Sequence, residues 1–321
     1  MSATTTTQTQ SSAGPAAGTV SLAGLPKIKA TIEYLDASIA KPYHRAHRNE
    51  GEDLTNVVHE SISVDVTDLA STTLSEREAF GLNTHGAGFE IVHGFGQQET
   101  ETGWSEEKWN DEEWIKQAYY KDVDQLLKDN LAQRGQHVQS TFIFDHTIRK
   151  GQTKHTPDDP FNRKPVAQAH CDQSRWSGEN RIRKHLGDET LAKVKSGELA
   201  AQLINVWRPL RGPVEEDPLA VADSRTVGVH ADGTSDWVQA DLIFKDWTGQ
   251  FLLIHKNPVH RWYYHSSLKT DQAILLKCYD SETETRTPHT AIVDPTSPKG
   301  AKPRWSMEVR VLVLLDPKAS Q

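Results

Sequence analysis

The sequence predicts a mainly β domain with helical additions. Residues 200–321 contain many short apolar or alternating runs, separated by turns rich in Pro, Gly, Asp and Asn. Closely spaced short strands are typical of a sandwich or barrel. Only two stretches of the chain repeat their apolar residues with helical spacing. The chain has no P-loop, no G-x-S-x-G elbow and no G-x-G-x-x-G after a strand, so the common nucleotide-binding and hydrolase frameworks are not indicated.

The elements of the N-terminal half begin with alternating β-branched residues. These predict strands at residues 28–35 and 57–66, and GFEIVHG predicts another at 88–94. Residues 105–133 place Trp109, Trp114, Val123 and Leu127 at helical spacing, which predicts a long amphipathic helix starting near Ser105. A strand is predicted at 138–148. Tryptophans 104, 109 and 114 are interpreted as core residues.

The C-terminal half begins with a strand that ends in the tripeptide His170-Cys171-Asp172. A helix is predicted at residues 180–195, where it would cover the tripeptide. The remaining predicted strands are short, and they lie at residues 203–207, 241–244, 250–255, 262–264, 273–279, 289–293 and 306–315.

Composition restricts the partners of the chain. The 321 residues are 36% hydrophobic, which is enough for one substantial core, and the formal net charge is −8. Because basic and acidic residues are evenly mixed, neither nucleic acid nor an anionic membrane is expected as the main partner. A small-molecule substrate is expected instead. The acidic, tryptophan-bearing N-terminal half suggests a lid or a homodimer surface.

The cysteine count and the N-terminus indicate a compartment. With only two cysteines, Cys171 and Cys278, no disulfide framework is expected, and a reducing, cytoplasmic location is the natural interpretation. No apolar run approaches the roughly 18 residues of a membrane span. Residues 1–24 lack the basic start and apolar core of a secretory signal, so they are interpreted as a disordered lead-in to one domain at 25–321.

His170 and Asp172 are the strongest chemical signal. Residues two apart on a strand point to the same face, so these two side chains can hold one metal ion while Cys171 points away and is interpreted as a small buried residue. Two imidazoles and one carboxylate on one face of Fe(II) leave positions open for a co-substrate and O2. The tripeptide therefore predicts two of three iron ligands.

The third ligand is expected from a strand remote in sequence. His289, in Thr-Pro-His-Thr, is favoured because one loop separates it from the last, Arg-headed strand. His260 is the main rival; it precedes His289 by a hairpin, and its alternative interpretation is a strand-end histidine bonded to backbone. His146, His230, His255 and His265 are expected to be surface or structural residues.

Arg304 and Ser306 predict an anchor for a 2-oxo acid. An oxo acid that chelates iron leaves its far carboxylate free, and a guanidinium can bind that group bidentately. Ser306 shares the strand face of Arg304 and can donate to the same carboxylate. Arg310 is also on that face, and spacing alone does not separate it from Arg304. Arg304 is favoured because it opens the strand.

Asn205 and Arg208 have two open interpretations. Together with Trp207 they lie on a predicted central strand, where an arginine needs an anionic partner or a water-lined pocket. One interpretation is contact with 2-oxoglutarate or substrate. The other is a buried ion pair with Glu215, Glu216 or Asp217.

Several longer motifs resemble a known family. They are AHCDQS (169–174), NVWRPLRGPVEEDPLAVADSRTV (205–227), NPVHRWYYHSSLKTDQAILLKCYDS (257–281), TPHTAIVDP (287–295) and PRWSMEVRVLVL (303–314). In this order they resemble the AsaB-like hydroxylase/desaturase family of non-heme iron oxygenases, to which gibberellin desaturase and a cephamycin methoxylase component are related. The segment before residue 130 matches only loosely.

The resemblance implies a fold and a function. It implies a double-stranded β-helix (jelly-roll, cupin-like) core, Fe(II) held by His170, Asp172 and His289, and 2-oxoglutarate held by Arg304 with Ser306 or Arg310. The implied activity is hydroxylation, desaturation or oxidative cyclisation of a small secondary metabolite or its amino-acid-type precursor, through a ferryl species formed with O2. Two alternatives remain, a cupin-like isomerase or hydrolase that needs no oxo acid, and a non-catalytic binding module.

Overall fold

The structure, a computed structural model, describes residues 22, 24–46, 53–72, 80–82, 86–96, 107–151 and 163–317. Within these residues two β-sheets face each other, and most of their strand pairs are antiparallel. The major sheet has nine strands and the minor sheet has five. Ser105, Trp104 and most of the expected lead-in lie outside the described residues.

The major-sheet strands range in length from two to ten residues. They are β1 (Lys27–Leu35), β2 (Tyr43–Arg45), β3 (His59–Asp68), β6 (His170–Cys171), β8 (Leu219–Ala222), β9 (Trp237–Ile243), β10 (Thr248–Ile254), β11 (Trp262–Tyr264) and β13 (His289–Ala291). The sheet curls, because Glu33 of the terminal strand β1 forms a bridge with Gln168, just before β6. The curl gives the sheet a concave face.

The minor sheet and the helices complete the fold. The minor strands are β4 (Phe89–His93), β5 (Val138–Lys150), β7 (Ala200–Arg211), β12 (Gln272–Asp280) and β14 (Trp305–Leu315). The strand order is β1-β3-β11-β8-β13-β6-β10-β9-β2 in the major sheet and β4-β12-β7-β14-β5 in the minor sheet. A helical turn (Glu112–Trp114) and a π-helical stretch (Ile115–Tyr119) lead into α1 (Tyr120–Gln133), and α2 (Arg175–Ser196) follows β6. Gly187 has φ 88° and kinks α2.

Alternation on the minor sheet separates two cores. Met307, Val309 and Val311 of β14 pack with Val123 and Leu127 of α1 on the outer face. The interior core lies between the sheets and joins major-sheet to minor-sheet residues, among them Cys171, Val221, Leu252, Leu276, Cys278 and Leu312. The even-numbered residues of β14 therefore face the space between the sheets, where the polar side chains at its start can reach β6 and β13.

The predicted elements agree with most of the observed ones. The strand at 262–264 matches β11, and α2 begins five residues before its predicted start. The sequence analysis missed β2 and β8, which are three and four residues long and too short to show an alternation. Among the described residues, no helix has both the length and the apolar character needed to cross a bilayer.

Candidate metal centre

Two short strands of the major sheet position the predicted ligands. His170 begins β6 and Asp172 follows its end, while the intervening Cys171 is fully buried in the interior core. His289 begins β13 and is the register partner of His170 across the antiparallel pair. Side chains of directly opposed residues lie close together on one face of a sheet. The pairing therefore brings the two imidazoles side by side, with ring centroids 4.4 Å apart.

The three side chains converge on one point. Asp172 Oδ1 lies 3.4 Å from His170 Nε2 and 3.8 Å from His289 Nε2. One ligand atom from each residue falls within 4.8 Å of the others, a spacing that can hold one metal ion. His289 is 3% exposed, so the convergence lies below the surface.

Backbone carbonyls determine the tautomer of both imidazoles. His170 Nδ1 donates to the carbonyl of Gln168 at 2.8 Å, and His289 Nδ1 donates to the carbonyl of Thr287 at 3.1 Å. A carbonyl oxygen only accepts, so in each neutral ring the proton sits on Nδ1 and the lone pair on Nε2. Both lone pairs therefore face Asp172, which is the arrangement of metal-binding histidines.

Electrostatics favour a cation at this point. Burial alone would raise the pKa of Asp172, but Arg310, the His170 hydrogen bond and His289 outweigh burial and hold the pKa well below its ordinary value. Burial would lower the pKa of His170, yet Asp172 raises it overall. The pKa of His289 is lowered by burial and by His170. Asp172 is thus an anion at neutral pH beside one imidazole that resists protonation.

Arg304 lies in the same small cavity as the three residues. The cavity is lined by His170, Asp172, His289 and Arg304, together with Arg149, Val166, Trp207, Leu219, Thr290, Ala291 and Glu308. Arg304 is 3% exposed, its Nη1 donates to the carbonyl of Asp217, and its guanidinium carbon lies 5.4 Å from the centre of the Trp207 ring. Burial lowers its pKa to about 10, so it is still a cation at neutral pH.

Two polar atoms near the cavity lack partners among the described residues. Arg304 Nε and Ser306 Oγ are both buried, and neither makes a hydrogen bond within the part of the chain that the structure describes. Buried donors are nearly always satisfied in folded proteins, because leaving one unpaired costs about 1–3 kcal/mol. These two unpaired donors, a guanidinium N–H and a hydroxyl, can both donate to the oxygens of an anionic ligand.

Arg310 and Asn205 contact Asp172 itself. Arg310 Nε donates to Asp172 Oδ2 at 2.9 Å, and Asn205 Nδ2 donates to the same oxygen at 2.8 Å. The sequence permits both as co-substrate contacts. In the structure they bond instead to the side of the carboxylate that faces away from the imidazoles.

Arg208 lies elsewhere. Asn205 and Arg208 are three apart on β7, and an odd spacing places their side chains on opposite faces. The Arg208 guanidinium carbon lies 5.2 Å from the Phe95 ring centre and 5.5 Å from those of Trp109 and Tyr119, and Nη2 donates to the carbonyl of Thr270 at 2.7 Å. The structure therefore places Arg208 on the outer, α1-covered face of the minor sheet, away from the three converging side chains.

The rival histidine belongs to a second polar cluster. His260 Nε2 bonds to Asp236 Oδ2 at 3.2 Å, and its Nδ1 lies 3.3 Å from the hydroxyl of Tyr34. His230 bonds to the other oxygen of Asp236 at 2.8 Å. The structure therefore brings His289, and not His260, to the HxD pair.

Two cavity residues were missed by the sequence analysis. Arg149 on β5 is the register partner of Ser306, and Glu308 lies two residues after Ser306, so both face the cavity. Burial lowers the pKa of Arg149. The alternation of β14 places Glu308 on the face of Ser306. For Arg149 no sequence signal exists, because its place depends on how β5 pairs with β14.

Comparison with known proteins agrees with this fold. The family model described as "Oxidoreductase/YMDC permease-like domain" matches residues 32–314. Hydroxylase/desaturase poxK of Penicillium oxalicum is 30% identical over 225 residues, covering 63% of this chain and 66% of poxK. Hydroxylase/desaturase asaB of Aspergillus flavus is 39% identical over 127 residues, covering 36% of this chain and 55% of asaB.

A third relative is also known as a solved structure. The Fe(II)/2-oxoglutarate-dependent dioxygenase nvfI of Aspergillus novofumigatus is 34% identical over 151 residues, covering 46% of this chain and 52% of nvfI. The structure of the iron and alpha-ketoglutarate-dependent endoperoxidase NvfI superposes with a TM-score of 0.73 at 24% identity, covering 91% of this chain and 99% of NvfI.

These comparisons confirm two predictions. The structural match confirms the jelly-roll fold. The aligned stretches span 52% to 66% of the three curated relatives' own lengths. The family model nevertheless covers most of the chain. The chain therefore belongs to this oxidoreductase family and is an AsaB-like hydroxylase/desaturase relative, as its motifs indicated.

Proposed function

We propose that the chain is an Fe(II)- and 2-oxoglutarate-dependent oxygenase that acts on a small secondary metabolite or its amino-acid-type precursor. One observation carries the proposal: a single buried cavity is bounded by His170, Asp172, His289 and Arg304. Two imidazole nitrogens and a carboxylate suit Fe(II) with open positions, and a guanidinium in the same cavity suits the far carboxylate of an oxo acid. The names of relatives such as nvfI support the same assignment.

The residues present fit both groups. His170 and His289 offer lone pairs at Nε2, and Asp172 offers Oδ1 beside them, so these three would hold the iron. Arg304 Nε and Ser306 Oγ, which lack partners among the described residues, would receive the carboxylate of 2-oxoglutarate. Iron with the oxo acid and O2 supplies the oxidising chemistry when bound. Arg304 and Ser306 orient the acid, and the surrounding apolar side chains exclude water.

A larger cavity lies between β5 and the helical segment that leads into α1, and it is proposed as the substrate chamber. Its volume of 680 Å³ is within the usual range for small-molecule sites. Trp109, Tyr120 and Phe144 supply aromatic surface, while Lys116 and Arg163 supply positive charge. Arg310 separates it from the metal cavity, because its guanidinium contacts both Asp172 and the chamber residue Thr147. This mixture suits a partly aromatic or apolar small molecule with polar substituents.

We also propose a cytoplasmic location with O2 and a small molecule as the partners. Cys171 and Cys278 are both free and buried, and structural disulfides are uncommon in reducing compartments.

The test is anaerobic reconstitution. Iron(II) is added to the purified chain, then 2-oxoglutarate, and a weak visible charge-transfer band is sought at roughly 500 nm, where iron–keto acid chelates of such triads are expected to absorb. Its appearance supports the proposal, and succinate formation then identifies substrates. Iron binding without the band would contradict it and would favour a metal enzyme that uses no oxo acid. Arg304→Gln is the matched control, because it should retain iron and lose the band.

A further inference from the structure

The guanidinium of Arg310 is engaged entirely by groups of the chain. Nε donates to Asp172 Oδ2 at 2.9 Å, Nη1 donates to Thr147 Oγ1 at 2.9 Å and to Asp145 Oδ2 at 3.4 Å, and Nη2 donates to Glu308. Three carboxylates and a hydroxyl thus surround it. Arg304 differs, because its Nε has no partner among the described residues. The two arginines share a strand face but have different surroundings.

The contacts of Arg310 determine which oxygen of Asp172 is available. Arg310 and Asn205 both donate to Oδ2, at 2.9 and 2.8 Å. Oδ1 is the oxygen nearer to the imidazoles, 3.4 Å from His170 Nε2 and 3.8 Å from His289 Nε2. A carboxylate whose second oxygen accepts two hydrogen bonds has little freedom to rotate.

We infer that Arg310 and Asn205 are a positioning pair that holds Asp172 as a one-oxygen ligand, and that Arg310 does not anchor the oxo acid. The inference rests on the proposed role of the triad as a metal site. Groups that orient metal ligands affect metal affinity directly, typically by about 10–100-fold when removed. An oxo-acid anchor would instead affect the affinity for the acid at saturating metal.

Two substitutions remove the positioning bonds by different routes. Arg310→Lys keeps a positive charge beside Asp172, Glu308 and Asp145, so the buried carboxylates are not left without a cation, but it loses the fixed fork of donors. Asn205→Ala removes one neutral donor and leaves every charge in place. Arg304→Gln, on the same strand face, serves as a comparison because it should weaken 2-oxoglutarate binding and leave metal binding unchanged. Arg225→Lys is the matched control, because Arg225 bonds to Asp223 at 2.7 Å and does not line the metal cavity.

The measurement separates two affinities. Mn(II) binding is followed by electron paramagnetic resonance of the free ion, and 2-oxoglutarate binding to the Mn-saturated protein by calorimetry. Arg310→Lys and Asn205→Ala should each weaken Mn(II) binding by about 10–100-fold and change 2-oxoglutarate affinity by less than about threefold. Arg304→Gln should do the reverse, and Arg225→Lys should change neither. Thermal unfolding without metal shows whether each variant is folded.

Other outcomes have distinct meanings. If folded Arg310→Lys and Asn205→Ala bind Mn(II) like the unsubstituted chain, the positioning role is overturned. If Arg310→Lys weakens only 2-oxoglutarate binding, Arg310 is the anchor and the inference is wrong. If the unsubstituted chain binds Mn(II) but no 2-oxoglutarate, the proposed function fails, while the Mn(II) comparison still tests the positioning pair.

Discussion

Among the described residues, two clusters each contain two histidines and one aspartate, and one of the two has the geometry of a metal site. In the first, Asp172 faces His170 and His289. In the second, Asp236 bonds to His230 Nε2 at 2.8 Å and to His260 Nε2 at 3.2 Å. The residue types are the same in the two clusters, although the His230 side chain is 33% exposed. The difference lies in which nitrogen carries the proton.

In the first cluster the Nδ1 protons go to backbone carbonyls, which leaves both Nε2 lone pairs free to bind a metal. In the second, His230 and His260 Nε2 lie 2.8 and 3.2 Å from Asp236 and donate to it, whereas the Nε2 atoms of the first cluster lie 3.4 and 3.8 Å from Asp172 Oδ1. Asp236 also accepts from Gly228 N at 3.0 Å and Asn257 Nδ2 at 3.1 Å. The comparison shows that the hydrogen bonds around a His/Asp/His set decide between a ligand set and a structural network.

The largest expected effect follows removal of Asp172, and removal of Asp236 is its control. Asp172→Ala should weaken Mn(II) binding by more than about 100-fold, because it removes a ligand and not merely a ligand's support, and it should abolish 2-oxoglutarate turnover. The fold should persist, since Asp172 lines a cavity. Asp236→Ala, in contrast, should keep wild-type metal affinity. Mn(II) titration of both alanine variants measures the two affinities, and loss of binding in Asp236→Ala would show that the clusters are not independent.

The next effect concerns the anchor of the first cluster. Arg304→Gln should raise the 2-oxoglutarate concentration needed for half-saturation by about 10–100-fold, because one charge-assisted bond contributes about 1.5–3 kcal/mol. Iron should stay bound. Calorimetric titration of the metal-loaded variant measures the change. Unchanged 2-oxoglutarate affinity would rule out Arg304 as the anchor.

A smaller effect is expected on the stability of the second cluster. Asp236→Asn should lower the free energy of unfolding by about 1–3 kcal/mol, because a buried carboxylate that accepts four hydrogen bonds is replaced by an amide that cannot accept them all. Urea unfolding of the metal-free chain measures this loss. Asp232→Asn, at an exposed neighbouring turn, is the control. Equal stability of wild type and Asp236→Asn would contradict the structural role.

The smallest expected effect is on how the stability of the chain depends on pH. Burial would raise the pKa of Asp236, but its hydrogen bonds, chiefly from His230, lower the pKa below its ordinary value. A carboxyl with a depressed folded pKa contributes stability that is full above the unfolded pKa of about 3.9 and is lost as pH falls through the folded pKa. Urea midpoints between pH 3 and 6 should therefore fall more steeply for wild type than for Asp236→Asn. Parallel curves would contradict the assigned network.

Much of the fold and site could be predicted because alternation and spacing are local. The HxD spacing placed His170 and Asp172 on one face although β6 has only two residues, and the chain order favoured His289 over His260. Short strands such as β8 could not be predicted, because four residues are too few to show an alternation of apolar and polar side chains.

The distinction between Arg304 and Arg310 could not come from sequence. Residues six apart on a strand share a face, and spacing says nothing about which neighbouring strand supplies their partners. Asp145 and Thr147 reach Arg310 only through the pairing of β14 with β5, and Asp172 reaches it from the opposite sheet. Asn205 likewise depends on β7 lying opposite β6. Such tertiary contacts have no local signature.

The register of β13 against β6 makes correct strand alignment a condition for activity. His289 is opposite His170 through a pair only one residue long. A slip of one residue would present Pro288 or Thr290 in its place and turn the imidazole to the other face. The same slip would break the three residue pairs that β13 makes with β8 and would turn the three buried side chains of β13 to the opposite faces. The pairing that protects the core therefore also keeps His289 in the metal site.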